Sequence, residues 1–135
     1  MARPSSSDGS QRVVKLCDFG FAVRCGADEK LKAGCGTPLY MAPELVKSVP
    51  HRGFPLDVWA FGCVAYEMLH ARPAFCGDTL AMLQGRIRRA SHAPIRRDGA
   101  RALSPRARWI VSSTLVVDAS ARPTAAALVE HLQGE

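Results

Sequence analysis

Asp18 is the first residue of this chain whose surroundings invite chemistry. It follows the short β-rich run VVKLC (residues 13–17) and precedes Phe19 and Gly20. A hard carboxylate at a strand end, beside a flexible glycine, can meet Mg²⁺ and phosphate oxygens. An Asp-x-Gly after an apolar strand also makes an ordinary turn, so the triplet alone decides nothing. Two further charged residues stand beside prolines: Glu44 after Pro43, and Arg122 before Pro123. Each has a plain reading alone, Glu44 as an acid at a helix start and Arg122 as a surface base. Asp57 lies at the mouth of the stretch PLDVWAFGCVAYEML (residues 55–69). It either favours the positive end of a helix or accepts hydrogen bonds from backbone N–H groups of a neighbouring loop.

That stretch is the element around which the others must be arranged. It has no charged side chain between Val58 and Tyr66. Phe61, Ala65 and Leu69 share one helical face, and Val58, Gly62 and Tyr66 share another, with Trp59 and Cys63 between them. A helix apolar on nearly every side is a buried helix. Pro55 suits its first turn. The run is too short to span a bilayer, which takes about 20 apolar residues. Gly62 costs about 1 kcal/mol against Ala in a helix interior, so a close neighbour is expected there.

The remaining chain reads as residues 13–17 in a strand, a long loop over 21–36, and a short helix at 44–47. Asp78 is placed to cap a helix running to about Arg88, with Leu80, Leu83 and Ile87 on one face. Residues 89–102 read as an Arg-rich loop. Ser104-Pro105 starts a helix carrying Ala107, Ile110, Val111, Thr114 and Leu115. Thr124 caps a last helix that ends at Gly134. Residues 1–12, rich in Ser, Pro and Gly, read as a loop or frayed start.

The chain has 135 residues, enough for one domain, and its 47% apolar content argues against disorder throughout. Its five cysteines form no C-x-x-C pair and leave an odd count, which suits a reducing intracellular setting, cytoplasmic or nuclear. The N-terminal stretch has no apolar core of the kind a signal peptide needs, and no membrane segment is expected. The net charge of +6 is concentrated in residues 86–108, which hold eight Arg against one acid, Asp98. Such a block can meet an acidic partner or nucleic acid. It lacks interleaved aromatic residues for base stacking, so the nucleic-acid reading is the weaker one, beside that of a solvated loop.

Four stretches taken together carry more than any one of them. VVKLCDFGFA, GTPLYMAPEL, DVWAFGCVAYEM and DASARPTAAALVEHL, in this order and spacing, resemble the C-terminal lobe of eukaryotic protein kinases, of the serine/threonine type by the wording of Gly36-Thr37-Pro38-Leu39-Tyr40. The resemblance covers residues 13–133 and implies a protein kinase-like α+β fold. This part of it would be mainly α, a helical C-terminal lobe with a short β remnant. The implied activity is phosphoryl transfer from ATP to Ser or Thr of a protein substrate, with ATP and Mg²⁺ as cofactors.

On that resemblance Asp18 would bind the Mg²⁺ that bridges the ATP phosphates, and Phe19 would pack beneath it, next to Gly20. Thr37 would line the site, and Leu39 and Tyr40 would shape the substrate pocket. Glu44 would form a buried ion pair with Arg122. Asp57 would brace the catalytic loop, and Trp59 and Gly62 would belong to the central helix. The wording departs from the family's at Ala119 and Leu132, both near the last helix.

The Gly-rich loop, phosphate-contacting Lys and His-Arg-Asp catalytic loop of the family have no counterpart in this sequence, and the chain contains no Asn. No catalytic residue is therefore assigned within it. The chain reads as the downstream part of a kinase domain, incomplete for catalysis alone, whose partners include the N-terminal lobe or another kinase. The alternative is a non-catalytic interaction or regulatory module derived from such a lobe. Residues 21–36 hold no Ser, Thr or Tyr, so no activating phosphorylation is expected there. Arg88-Arg89-Ala90-Ser91 resembles a substrate motif of basic-directed kinases.

Overall fold

A computed structural model describes residues 13–32, 34–94 and 103–134. The readings of residues 1–12 as a loop, of Ala33, and of residues 95–102 within the Arg-rich loop lie outside the described residues. Five α-helices follow a 3₁₀ turn at Pro38–Tyr40: α1 (Pro43–Val46), α2 (Gly53–His70), α3 (Leu80–Arg88), α4 (Pro105–Thr114) and α5 (Ala125–Gln133).

Helix α2 is the rod of the fold. It begins at Gly53, two residues before Pro55, and the proline is tolerated because its missing N–H falls among the first four, which have no intrahelical acceptor. It ends at Ala71, in a left-handed conformation with φ 53° and with its N–H bonded to Glu67 O at 2.8 Å. Val58, Trp59, Gly62, Cys63, Tyr66 and His70 are buried on one side. The opposite side is not covered. Phe61, Val64 and Met68 are 41%, 46% and 81% exposed, which corrects the expectation of a helix buried all round. Helix α4 and the turn at Pro38–Tyr40 pack on α2, and among the described residues no element covers the remaining face.

Gly62 is where α2 and α4 approach. A Cβ there would lie 2.8 Å from Thr114 Cβ and 2.9 Å from Leu115 Cδ2, so the glycine is required by packing rather than by backbone conformation. The core continues through Phe75, Leu83, Ile87 and Val111. Trp59 and Phe75 stack with ring centroids 5.3 Å apart.

Local signals set the helix starts. Ser104 Oγ accepts from Ala107 N at 3.1 Å, and Thr124 Oγ1 accepts from Ala127 N at 3.1 Å. At α3 the cap is Thr79, accepting from Met82 N at 3.2 Å, and not Asp78. With the helix beginning at Leu80, that side chain projects outward at 58% exposure, while Leu83 and Ile87 are buried.

The strand expected over residues 13–17 is not formed. Val13, Val14 and Leu16 are 74%, 94% and 87% exposed. A strand needs a ladder partner, and the only β-bridge among the described residues joins Leu31 to His51. The chain is thus helical where it packs, and the expected β remnant is absent from the described residues.

Candidate functional site

Arg122 holds the densest set of polar contacts among the described residues. A guanidinium has five N–H donors in a fixed fork, and here all five are used. Nη1 donates to Glu44 Oε1 at 2.7 Å and to Pro55 O at 2.8 Å. Nη2 donates to Glu44 Oε2 at 2.9 Å and to Val117 O at 3.3 Å, and Nε donates to Val116 O at 2.9 Å. The Arg122 side chain is 0% exposed and that of Glu44 12%. The guanidinium carbon also lies 5.0 Å from the Trp59 ring centroid, a distance at which the ring face attracts a cation. Glu44 is in α1, Pro55 and Trp59 are in α2, and Val116 and Val117 precede Arg122 in the approach to α5. One side chain therefore ties the three segments together.

Upstream of α1, the turn at Pro38–Tyr40 sits against α2. Thr37 is exposed, while Leu39 and Tyr40 are half-buried against the core. Tyr40 donates its hydroxyl to Glu67 Oε2 at 2.9 Å. The bond to that carboxylate, then burial, raises the Tyr40 pKa above its usual 10.0. The family resemblance singles out Tyr40 as a pocket residue, but the sequence carries no local signal for Glu67, which lies 27 residues further on.

Asp57 is the fifth residue of α2, because the helix starts at Gly53. That position is beyond the first turn, which weakens the helix-dipole reading. Burial alone raises its carboxyl pKa, and no hydrogen bond or opposing charge among the described residues lowers it. The carboxylate lines a cavity of about 380 Å³ between the N-terminal ends of α2 and α5, together with Phe54, Val58, Arg122 and Thr124. Further along α2, burial pushes the Cys63 thiol up to about 12, so the thiol stays protonated and inert.

Asp18 stands apart from this assembly. Its φ is 62°, left-handed, and Gly20 N points at its Oδ1 at 3.4 Å. The turn is closed by Ala22 N donating to Phe19 O at 3.0 Å. Phe19 is 68% exposed, so it does not pack beneath Asp18 as expected; the turn directs it outward. Among the described residues no three His, Cys, Asp or Glu side chains converge on a metal position. Among the described residues Asp18 offers one carboxylate and no phosphate cradle adjoins it, so these residues by themselves do not complete a site for Mg²⁺ with ATP.

Several of the described arginines of the basic block donate to backbone carbonyls. Arg86 donates to Cys76 O, Arg106 to Leu132 O and Arg108 to Leu103 O, at 2.8, 3.2 and 2.6 Å. These three close helix ends and loops within the fold. No helix among the described residues is long and apolar enough to cross a membrane.

Residues 6–132 match the family described as Protein kinase domain. The chain is 43% identical over 75 residues to the serine/threonine-protein kinase plk-2 of Caenorhabditis elegans, covering 56% of this chain and 12% of that protein. It is 37% identical over 113 residues to the serine/threonine-protein kinase D1044.8 of the same organism, covering 84% of this chain and 11% of that protein. Over 118 residues it is 35% identical to the serine/threonine-protein kinase Nek6 of Oryza sativa subsp. japonica, covering 87% of this chain and 21% of that protein. The chain thus spans only a tenth to a fifth of the length of these curated relatives.

Proposed function

The chain belongs to the protein kinase family, and from that membership we propose that it supplies the substrate-facing helical part of an ATP-dependent protein serine/threonine kinase. The observation that carries this reading is the Arg122 clamp. It fixes the end of the segment 36–44, which holds the pocket residues Thr37, Leu39 and Tyr40, against the central helix. A pocket for a protein substrate needs a rigid wall, and a buried bidentate pair supplies one.

The 135-residue chain by itself does not transfer phosphate. Phosphoryl transfer rests on positioning and on charge stabilisation, and within this sequence only Asp18 is proposed to meet the metal. In a complete domain Asp18 would be one ligand of a Mg²⁺ ion, which would supply charge neutralisation at the ATP phosphates. Asp57, facing the cavity at the α2–α5 junction, is the acceptor proposed to brace the catalytic loop. The free thiols of Cys17, Cys25, Cys35, Cys63 and Cys76 suit a reducing intracellular compartment, which is proposed as the setting.

A second reading draws on the uncovered α2 face at Phe61, Val64 and Met68. An apolar stripe of this kind serves a non-catalytic module that docks onto another kinase or onto an N-terminal lobe.

The test is a radiolabelled ATP assay on the purified chain and on the chain joined to an N-terminal kinase half from a relative. No transfer by the chain alone, and transfer by the joined form that is lost in Asp18→Ala, is the expected result. Transfer by the chain alone that vanishes in Asp18→Ala would overturn the incompleteness. A folded but inactive joined form would favour the non-catalytic module.

A further inference from the structure

Helix α3 ends in a way that presents a serine. Ser91 N donates to Arg86 O at 2.9 Å and Ala90 N to Ile87 O at 3.0 Å, the two bonds of a Schellman cap. The left-handed position of that cap ordinarily holds glycine, because a Cβ crowds the following carbonyl. Here it holds Ala90, with φ 48°. The end of α3 is therefore under strain at the residue immediately before Ser91.

Ser91, Arg88 and Arg89 are all exposed. Arg88 Nη2 reaches Val46 O over a long 3.5 Å, a contact at the limit of a hydrogen bond. Beyond Ser91 the chain is held again. Tyr66 donates its hydroxyl to Ala93 O at 3.1 Å, and the His92 ring sits 5.5 Å from that of Tyr66. The strained cap thus joins a helix to an anchor, with Ala90 resting on the edge of the core, and ends of this kind open locally more readily than helix interiors do.

We propose that Ser91 is a phosphorylation site for a protein serine/threonine kinase with an acidic substrate groove, one that reads the guanidinium groups of Arg88 and Arg89. Two arginines just before the acceptor hydroxyl can pair bidentately with carboxylates of such a groove. The Ser91 Oγ attacks the γ-phosphorus of ATP held by the modifying enzyme. An O–P bond forms, the bond from that phosphorus to the β–γ bridging oxygen breaks, and ADP leaves. The hydroxyl proton passes to a base of the modifying enzyme. This chain is the acceptor and takes no catalytic part.

The phosphate would add a charge of about −1.5 to −2 at the negative end of the α3 dipole, beside the carbonyls of Arg86 and Ile87. It repels those carbonyls and draws Arg88 away from Val46 O. Because α1 carries Glu44 and packs on α3, modification at Ser91 loosens a support of the segment that the Arg122 clamp holds.

The experiment incubates the intact chain with a basic-directed serine/threonine kinase and Mg-ATP, alongside a reaction lacking the added kinase, and locates phosphate by tandem mass spectrometry. The omission control separates this site from any activity of the chain itself. Phosphate on Ser91 only when the kinase is added, none in Ser91→Ala, and a rate about tenfold lower in the Arg88→Ala/Arg89→Ala variant is the expected result. Ala90→Gly relieves the strained cap and should slow modification of the folded chain severalfold, while a peptide of residues 86–94 carrying the same change is modified at the unaltered rate. Absence of phosphate from Ser91 in the folded chain, or an unchanged rate in the double arginine variant, would overturn the site. Equal rates for folded Ala90→Gly and the unaltered chain would overturn the role of the cap.

Discussion

Replacing Glu44 by Ala strands a cation in the interior. Arg122 has no exposed side-chain surface, so the two donors now satisfied by Glu44 at 2.7 and 2.9 Å would face a cavity rather than water. Removing one partner of a buried pair costs about 3–5 kcal/mol, whereas an exposed pair is worth about 0–1 kcal/mol. The carbonyls of Pro55, Val116 and Val117 hold three further donors, but carbonyl oxygens cannot neutralise the charge. Arg122→Ala should cost a similar amount, because it leaves the Glu44 carboxylate and those three carbonyls without donors. The double variant should cost less than the sum by about 1–3 kcal/mol, the usual range for residues in one network. Urea unfolding followed by tryptophan fluorescence measures all three, and the Trp59 ring, 5.0 Å from the guanidinium carbon, reports directly on the clamp. Against a typical domain stability of about 5–15 kcal/mol, either single change should move the midpoint far beyond error. Additive single effects, or losses below about 1 kcal/mol, would refute the reasoning and remove the clamp from the functional argument.

Three other measurements follow from the packing. Gly62→Ala gains about 1 kcal/mol in helix propensity, yet the added methyl overlaps Thr114 and Leu115; a net loss of stability in urea is expected, since overpacking costs about 1–3 kcal/mol. Iodoacetamide at mildly alkaline pH should label the exposed Cys17, Cys35 and Cys76 in the native chain and Cys63 only after unfolding, because burial holds its thiol pKa near 12; labelling of Cys63 at the rate of Cys76, read by mass spectrometry, would contradict this. The Asp57 carboxyl has a pKa raised by burial, so its ionised form is penalised in the fold. Its favourable contribution is present below the unfolded carboxylate pKa and is lost as pH rises through the folded value. Asp57→Asn should therefore match or exceed the parent stability at pH 7, with the difference shrinking below about pH 4; a clear loss at pH 7 would reveal hydrogen bonds that Asp57 accepts.

Much of the local structure was legible in the sequence. Ser104 and Thr124 cap the helices they precede, because a cap bond spans three residues and is encoded by the residues that make it. The close approach at Gly62 was legible from one glycine inside an apolar helix. The Glu44–Arg122 pair was reached through family resemblance, since neither residue carries a local sign of a partner 78 positions away. Tertiary structure decided the rest. Which face of α2 is covered depends on where α4 and the turn at Pro38–Tyr40 come to lie, and an apolar run records no such choice. The run at residues 13–17 has strand propensity but no ladder partner among the described residues, and a strand is a property of a pair. Only the folded chain brings the carbonyls of Pro55, Val116 and Val117 around the Arg122 guanidinium, because backbone acceptors are the same at every position of a sequence and acquire an address only in three dimensions.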